Sequence, residues 1–225
     1  LKANKNAVHL CIPAVAATNT EHLIGGTKTY TFTEGELLEP ERLSADVLDE
    51  LRELQGSANF EAQYLQTPQH TAGRIIKPEW IQTYLEPRKP DYTVISIDPA
   101  FTKNGGDYSA AIVVGLVNKD VEIVHAEQAQ FDYPGLLQWI RRLDKSWKPD
   151  LFVVEAIGAG LALPHYLKED NIKHLEYVDS HMGKSKIERM EMVSPLIEAG
   201  RLWLPLTAPW RASFLKNLLE FPYGV

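Results

Sequence analysis

The stretch Tyr92-Thr93-Val94-Ile95-Ser96-Ile97-Asp98-Pro99 carries the pattern that decides the fold of this chain. Its first six residues are mostly β-branched, aromatic or apolar, which favours a strand, and the strand ends at a carboxylate. A second apolar run, Leu151-Phe152-Val153-Val154, also ends at a carboxylate, Glu155. The sequence therefore predicts two buried strands that each present an acid at the C-terminal end.

The chain around these two strands alternates short apolar runs with helical patterns. Runs at 108–116 and 121–128, joined by the turn Asn118-Lys119-Asp120, predict two strands that form an antiparallel meander with the first. A hairpin-built half followed by β-α-β units is typical of a mixed α/β sheet with helices on its faces. The further helices are expected at about 134–147, 160–168, 185–199 and 209–219, and the further strands at 175–178 and 202–204.

Residues 1–90 have a different character from the remainder. A Gly25-Gly26 turn is followed by an amphipathic helix in which Val47, Leu48, Leu51 and Leu54 recur at helical spacing. Ser44 is its predicted N-cap and Gly56 its predicted stop. The prolines and mixed polarity of 59–90 indicate a connecting segment. We therefore expect two regions, residues 1–90 and a mixed α/β domain at 91–225.

Composition limits the classes of function. The formal net charge is −7, which argues against a protein that coats nucleic acid by neutralising many phosphates. No apolar run of about 18 residues and no signal-peptide pattern is found, so a cytoplasmic setting without membrane insertion is expected. The single cysteine, Cys11, lies in an apolar stretch and is predicted to be a buried structural thiol.

The two strand-end acids predict a metal site. In open α/β sheets ligands gather beyond the carboxyl ends of strands, so Asp98 and Glu155 can converge. Two negative charges at a partly buried site are unfavourable unless a positive charge lies between them. Two Mg²⁺ or Mn²⁺ ions would supply that charge and support phosphodiester hydrolysis. The alternative is that each acid caps a helix or pairs with a basic residue.

Further candidates lie near the same end of the sheet. Asp107, at the start of the neighbouring strand, is expected to be a third catalytic residue as a direct or outer metal ligand, or else a simple turn residue. Lys184, Lys186 and Arg189, here called the basic cluster, begin a helix after a strand end, a placement suited to holding phosphates. A solvated helix face balanced by acids is the alternative. Lys103 is a weaker candidate for DNA binding.

The ordered set of short motifs resembles the nuclease core of phage terminase large subunits, an RNase H-like fold. An Asp on the first strand and a Glu on the fourth match that arrangement. The matching stretches are Phe60-Glu61-Ala62-Gln63-Tyr64-Leu65-Gln66-Thr67-Pro68, Ile97-Asp98-Pro99-Ala100, Gly106-Asp107-Tyr108-Ser109-Ala110, Val154-Glu155-Ala156, Ile197-Glu198-Ala199-Gly200-Arg201-Leu202 and Phe221-Pro222-Tyr223-Gly224.

The resemblance implies a two-metal endonuclease that cuts double-stranded DNA during genome packaging in the host cytoplasm. It also implies a small terminase subunit and a portal ring as partners, and it makes residues 1–90 a remnant of the packaging ATPase region with its linker. The family's third carboxylate follows the Phe-Pro-x-Gly segment and is therefore expected beyond Val225. No G-x-x-x-x-G-K-[ST] motif occurs, since the first glycine position before Gly183-Lys184-Ser185 is Val178.

Two alternatives remain open from the sequence. One is a junction resolvase or transposase-type nuclease on the same fold, which would share the metals but not the linker-like segment. The other is a non-catalytic docking module that binds DNA or a portal without cutting.

Overall fold

The structure, a computed structural model, describes residues 11–67, 75–100, 107–155, 167, 172, 175–178 and 183–223. In these ranges the helices are α1 (Ala45–Gln55), α2 (Ser57–Gln63), α3 (Tyr133–Trp147), α4 (Lys186–Glu198) and α5 (Arg211–Glu220), with a 3₁₀ turn at Pro78–Trp80. The strands are β1 (Thr20–Gly25), β2 (Lys28–Phe32), β3 (Gln82–Tyr84), β4 (Tyr92–Asp98), β5 (Ser109–Val117), β6 (Asp120–Ala129), β7 (Leu151–Glu155), β8 (Leu175–Val178) and β9 (Leu202–Pro205).

Seven of these strands form one mixed sheet in the order β3-β9-β6-β5-β4-β7-β8. β4, β5 and β6 are antiparallel neighbours, which confirms the predicted meander. β7 joins the other side of β4 in parallel, and β8 adds in parallel to β7. The mixed α/β architecture predicted from the sequence is therefore confirmed. This order places β4 beside β7, the strand that follows α3.

The core lies where α3 packs on the central strands. α3 begins at Asp132, whose carboxylate accepts the Gly135 N–H at 2.9 Å, and ends where Lys148 adopts a left-handed conformation with φ 47°. Burying several large aliphatic and aromatic side chains at one interface stabilises the sheet and fixes β4 and β7 relative to each other. The side chains buried there include Ile95, Ile97, Val113, Leu136, Ile140, Leu143, Phe152 and Val154.

The chain divides into two compact units, Leu1–Gly73 with Ser194–Ala199, and Arg74–Val193 with Gly200–Val225. In the first unit, β1 and β2 form a separate antiparallel hairpin. The predicted α1 is confirmed at both ends, since Ser44 Oγ accepts the Val47 N–H at 3.4 Å and Gly56 has φ +76°. The division predicted at residue 90 stays a prediction.

Some sequence predictions need correction or fall outside the described residues. β3 was not predicted, and it pairs in parallel with β9 at the edge of the large sheet. Its three residues are too few to show a strand periodicity. The prediction of a buried Cys11 is wrong: this residue is exposed, since an apolar neighbourhood in the sequence does not by itself bury a side chain. The helix predicted at 160–168 lies outside the described residues, apart from Leu167. None of the described helices has the length and apolar character needed to cross a membrane.

Candidate active site

Asp98 and Glu155 come together because β4 and β7 are parallel neighbours in register. Ile97 lies opposite Val154, so the next residue of each strand stands at the same level at the end of the sheet. The Asp98 side chain hydrogen-bonds to the Glu155 side chain. Two carboxyl groups can do this only if one of them carries a proton. The structure therefore brings the two predicted acids together at the C-terminal ends of two neighbouring strands.

The electrostatics of this pair disfavour two full negative charges. The pKa of Asp98 is raised to about 6, first by partial burial and then by the hydrogen bond to Glu155 and the charge of Glu155, although part of the residue reaches solvent. Lys186 and Arg189 act in the opposite direction and lower this pKa. A bound cation relieves the repulsion between the two charges of such a carboxyl pair. Perturbed carboxyl groups of this type concentrate at functional sites.

The strand end that carries Asp98 is held by a residue that sequence reasoning did not single out. Ser109, the first residue of β5, is completely buried. Its hydroxyl accepts the Ala100 N–H at 3.0 Å and donates to the Ala100 carbonyl at 2.6 Å. The sequence signal was the position of this small polar residue at the start of an otherwise apolar strand.

The start of α4 is fixed by a capping box. Glu188 accepts the Ser185 N–H at 2.6 Å, and Ser185 Oγ accepts the Glu188 N–H at 3.2 Å. These bonds to Ser185 are the main reason why the pKa of Glu188 is lowered, with a smaller contribution from Lys184. The position of the first helical turn therefore follows from the sequence Ser185-Lys186-Ile187-Glu188.

Within the basic cluster, Lys186 and Arg189 act electrostatically on Asp98. Arg189 Nε is buried and lacks a hydrogen-bond partner among the described residues. A buried guanidinium N–H without an acceptor is unfavourable. Lys184 precedes the helix, and its ammonium lies 3.0 Å from Met192 Sδ. Two of the three cationic groups thus act electrostatically on one member of the carboxyl pair.

Asp107 is exposed and stands apart from the pair in register. Asp98 lies opposite Ala110 across the β4–β5 ladder, so Asp107 is displaced by three residues, or roughly 10 Å, beyond the strand end. It is not among the groups that shift the pKa of Asp98. Its role stays a prediction. Lys103 lies outside the described residues.

The donor set fits a divalent cation but is incomplete as a metal centre. In the part of the chain that the structure describes, no group of three or more His, Cys, Asp and Glu side chains could hold a metal ion. Two carboxylates alone supply the hard oxygen ligands that Mg²⁺ accepts together with water. Their mutual repulsion and the raised pKa of Asp98 give the pair a reason to bind a cation.

Comparison with solved structures relates this architecture to large terminases. A large terminase from a thermophilic bacteriophage, in complex with ADP, has a TM-score of 0.61 at 11% identity over 79% of this chain and 44% of that chain. Another crystal form of the same large terminase gives 0.59 at 12% identity over the same shares. The large terminase nuclease from thermophilic phage G20c with bound magnesium gives 0.50 at 18% identity, over 66% of this chain and 80% of that one.

At these identities the likeness establishes the fold, and this chain spans less than half the length of the first of these terminases. No match was found among curated proteins. The model of the terminase RNaseH-like domain family matches residues 95–224, which include the strand ends that carry both acids. Since that match covers more than half of the sequence, the chain belongs to the terminase RNaseH-like domain family.

Proposed function

We propose that this chain is the nuclease part of a large terminase, a metal-dependent endonuclease that cuts double-stranded DNA during phage genome packaging. The observation that carries the proposal is the Asp98–Glu155 pair at the ends of adjacent parallel strands. It lies at the edge of an RNase H-like sheet where the family match also falls. Membership in the family supports the reaction class.

Asp98 and Glu155 would hold the metal, with Mg²⁺ or Mn²⁺ as the expected ions. The proton in the hydrogen bond between the two carboxyl groups occupies the place where a cation would bind. When that proton is lost, both carboxylates can offer oxygen ligands. When bound, two such ions activate water as the nucleophile and stabilise the leaving oxygen. Asp107 is proposed as a further ligand or a residue that orients one.

The basic cluster is proposed to hold the DNA backbone. Lys186 and Arg189 are placed where they act on Asp98, and Arg189 Nε has no acceptor among the described residues. A phosphate oxygen would satisfy that N–H with a charge-assisted hydrogen bond. Lys184 and Lys103 would add contacts to flanking phosphates. Contacts of this kind position the duplex without reading its sequence, so cleavage is expected to be largely independent of sequence.

The remaining parts of the proposal rest on family membership. Double-stranded DNA, a small terminase subunit and a portal ring are the expected partners, and the host cytoplasm is the expected location. Residues 1–90 are proposed to be the end of a packaging ATPase region with its linker. The exposed apolar side chains Leu23 and Ile24 in the first unit are available for partners of this kind.

The test is plasmid cleavage. The present chain, a version extended past Val225 and their Asp98→Asn variants are incubated with supercoiled DNA, Mn²⁺ or Mg²⁺, and EDTA as the blank. The extended protein is expected to nick and linearise the plasmid, the present chain much more weakly, and both Asp98→Asn variants not at all. Asp49→Asn, which removes an exposed acid from α1, is the matched control and should cut like its parent.

Two outcomes would count against a nuclease. One is an extended protein that fails to cut with every metal, and the other is an Asp98→Asn variant that cuts as well as its parent. Either would favour a non-catalytic docking module in which the acids have a structural role. Cleavage of four-way DNA junctions without cleavage of the plasmid would favour the resolvase alternative.

A further inference from the structure

Ser109 is a buried polar residue whose hydroxyl bonds to the segment that follows Asp98. The residue has no exposure to solvent. The hydroxyl is both an acceptor, from the Ala100 N–H at 3.0 Å, and a donor, to the Ala100 carbonyl at 2.6 Å. One side chain therefore satisfies both backbone groups of a residue just past the strand end.

The segment held in this way begins at Asp98. The last ladder pair of β4 is Asp98 with Ala110, so regular strand pairing ends at the acid itself. Pro99 is buried, its ring fixes its own φ, and it confines the backbone of the preceding residue to the extended region. With strand pairing alone, the next residue, Ala100, would be free to move away from β5. The two bonds to Ser109 keep it attached.

We propose that Ser109 is a positioning residue for Asp98. By joining Ala100 to the first residue of β5, it fixes the backbone on the C-terminal side of Asp98, while strand pairing fixes the N-terminal side. The Asp98 carboxylate is then held level with Glu155 before a cation arrives, and binding need not order the strand end. A residue that holds a ligand in place in this way raises metal affinity without touching the metal.

This inference rests on the proposed function, because it concerns the metal site formed by Asp98 and Glu155. A purely structural role for Ser109 makes a different prediction. Loss of the hydroxyl would then lower the melting temperature while leaving metal affinity and turnover of the folded protein unchanged. A positioning role requires that metal affinity and kcat fall at temperatures where the variant is fully folded, with KM for DNA unchanged.

The experiment compares Ser109→Ala and Ser109→Thr in the version extended past Val225. Mn²⁺ affinity is measured by titration calorimetry, and kcat and KM by plasmid cleavage. Exchange of the Ala100 amide is followed in the metal-free protein. Ser109→Ala is expected to bind Mn²⁺ roughly tenfold more weakly and to expose the Ala100 amide. Ser109→Thr keeps the hydroxyl and should return affinity to within about threefold of the parent, on the same principle.

Ser213→Ala is the matched control, since Ser213 Oγ also donates to a backbone carbonyl, that of Trp210, at 3.0 Å on α5. It should leave Mn²⁺ affinity unchanged. If Ser109→Ala does not fold, Ser109→Cys replaces it, because the thiol fills similar space but bonds weakly. Parental Mn²⁺ affinity and kcat in the folded hydroxyl-free variant would overturn the positioning role.

Asp98→Asn separates this proposal from the proposed function. If Asp98→Asn abolishes Mn²⁺ binding while Ser109→Ala leaves it intact, only the role of Ser109 is wrong. If Asp98→Asn itself binds Mn²⁺ and cuts like its parent, the metal site is wrong and the proposal about Ser109 fails with it.

Discussion

Replacing Asp98 with asparagine is expected to stabilise the fold without metal and to remove the stabilisation that Mn²⁺ provides. The reason is that the folded chain brings two carboxyl groups together at the end of the sheet. Asparagine has nearly the same shape and can still donate to Glu155, but it carries no charge. The effect of one substitution on stability should therefore change sign with the metal.

The magnitude follows from the pKa of Asp98. Folding raises it from 3.8 to about 6, a shift that corresponds to about 3 kcal/mol at most. The residue is solvent-exposed, so screening reduces the expected penalty to about 1 kcal/mol. For a chain of this length, 1 kcal/mol moves the melting temperature by about 2–4 °C.

The pH dependence has a defined sign. Because the pKa is higher in the folded state, the folded chain retains the proton more strongly. The associated stability is fully present below pH 4 and is lost as the pH rises through about 6. Asp98→Asn should therefore gain stability over its parent at pH 7.5 in EDTA and lose that advantage at pH 4.

Metal should reverse the order. A ligand at 100 times its Kd stabilises the native state by about 2.7 kcal/mol, and the parent alone has the second carboxylate needed to bind it well. Thermal unfolding is followed by circular dichroism at pH 4 and pH 7.5, with EDTA and with saturating Mn²⁺. The reasoning is refuted if the variant melts below its parent in EDTA at pH 7.5. It is also refuted if Mn²⁺ raises both melting temperatures equally.

Three further predictions concern charge and backbone conformation. Replacing all three residues of the basic cluster with alanine should reduce the slope of log DNA affinity against log salt concentration by about 2–3 in magnitude. Arg88→Ala leaves the buried Glu122 carboxylate without its main partner and should destabilise the fold by about 3 kcal/mol in urea unfolding, whereas Arg42→Ala, at an exposed ion pair, should cost less than about 1 kcal/mol. Gly56→Ala meets both a positive φ and crowding at 3.2 Å, so it should cost about 2–3 kcal/mol, against about 1 kcal/mol for Gly35→Ala, where space is open.

Each of these has a contrary result. An unchanged salt slope would return the basic cluster to a solvated helix face. Equal losses for Arg88→Ala and Arg42→Ala would mean that burial of Glu122 does not matter. Equal losses at the two glycines would assign the whole cost to backbone conformation and none to the contacts of Gly56 with Pro195 and Glu198.

The sequence predicts the central sheet well, because its strands are long enough to show a pattern. β4, β5 and β6 each combine apolar runs with turn residues at both ends, and their meander was predicted with boundaries close to those observed. β3 was missed, since three residues carry no periodicity and its pairing with β9 depends on tertiary contacts. Cys11 was misjudged because an apolar neighbourhood in sequence does not ensure burial.

The candidate site was predictable where it depends on strand ends. Asp98 and Glu155 stand out because each ends an apolar run, and parallel pairing then brings them together. Ser109 could not be found in this way, because its importance comes from two hydrogen bonds to the backbone of Ala100. The register of Asp107 likewise depends on which residues pair in the β4–β5 ladder.

The parallel pairing of β4 with β7 also has a consequence for how the chain folds. Residues 99–154 separate the two acids, and that segment contains β5, β6 and α3. Closing so long a connection is entropically costly and makes this contact a late one in folding. When β7 pairs with β4, it therefore brings the negative charge of Glu155 toward that of Asp98. A divalent ion present during folding would favour this step, so the rate of refolding is expected to report on the metal as directly as cleavage does.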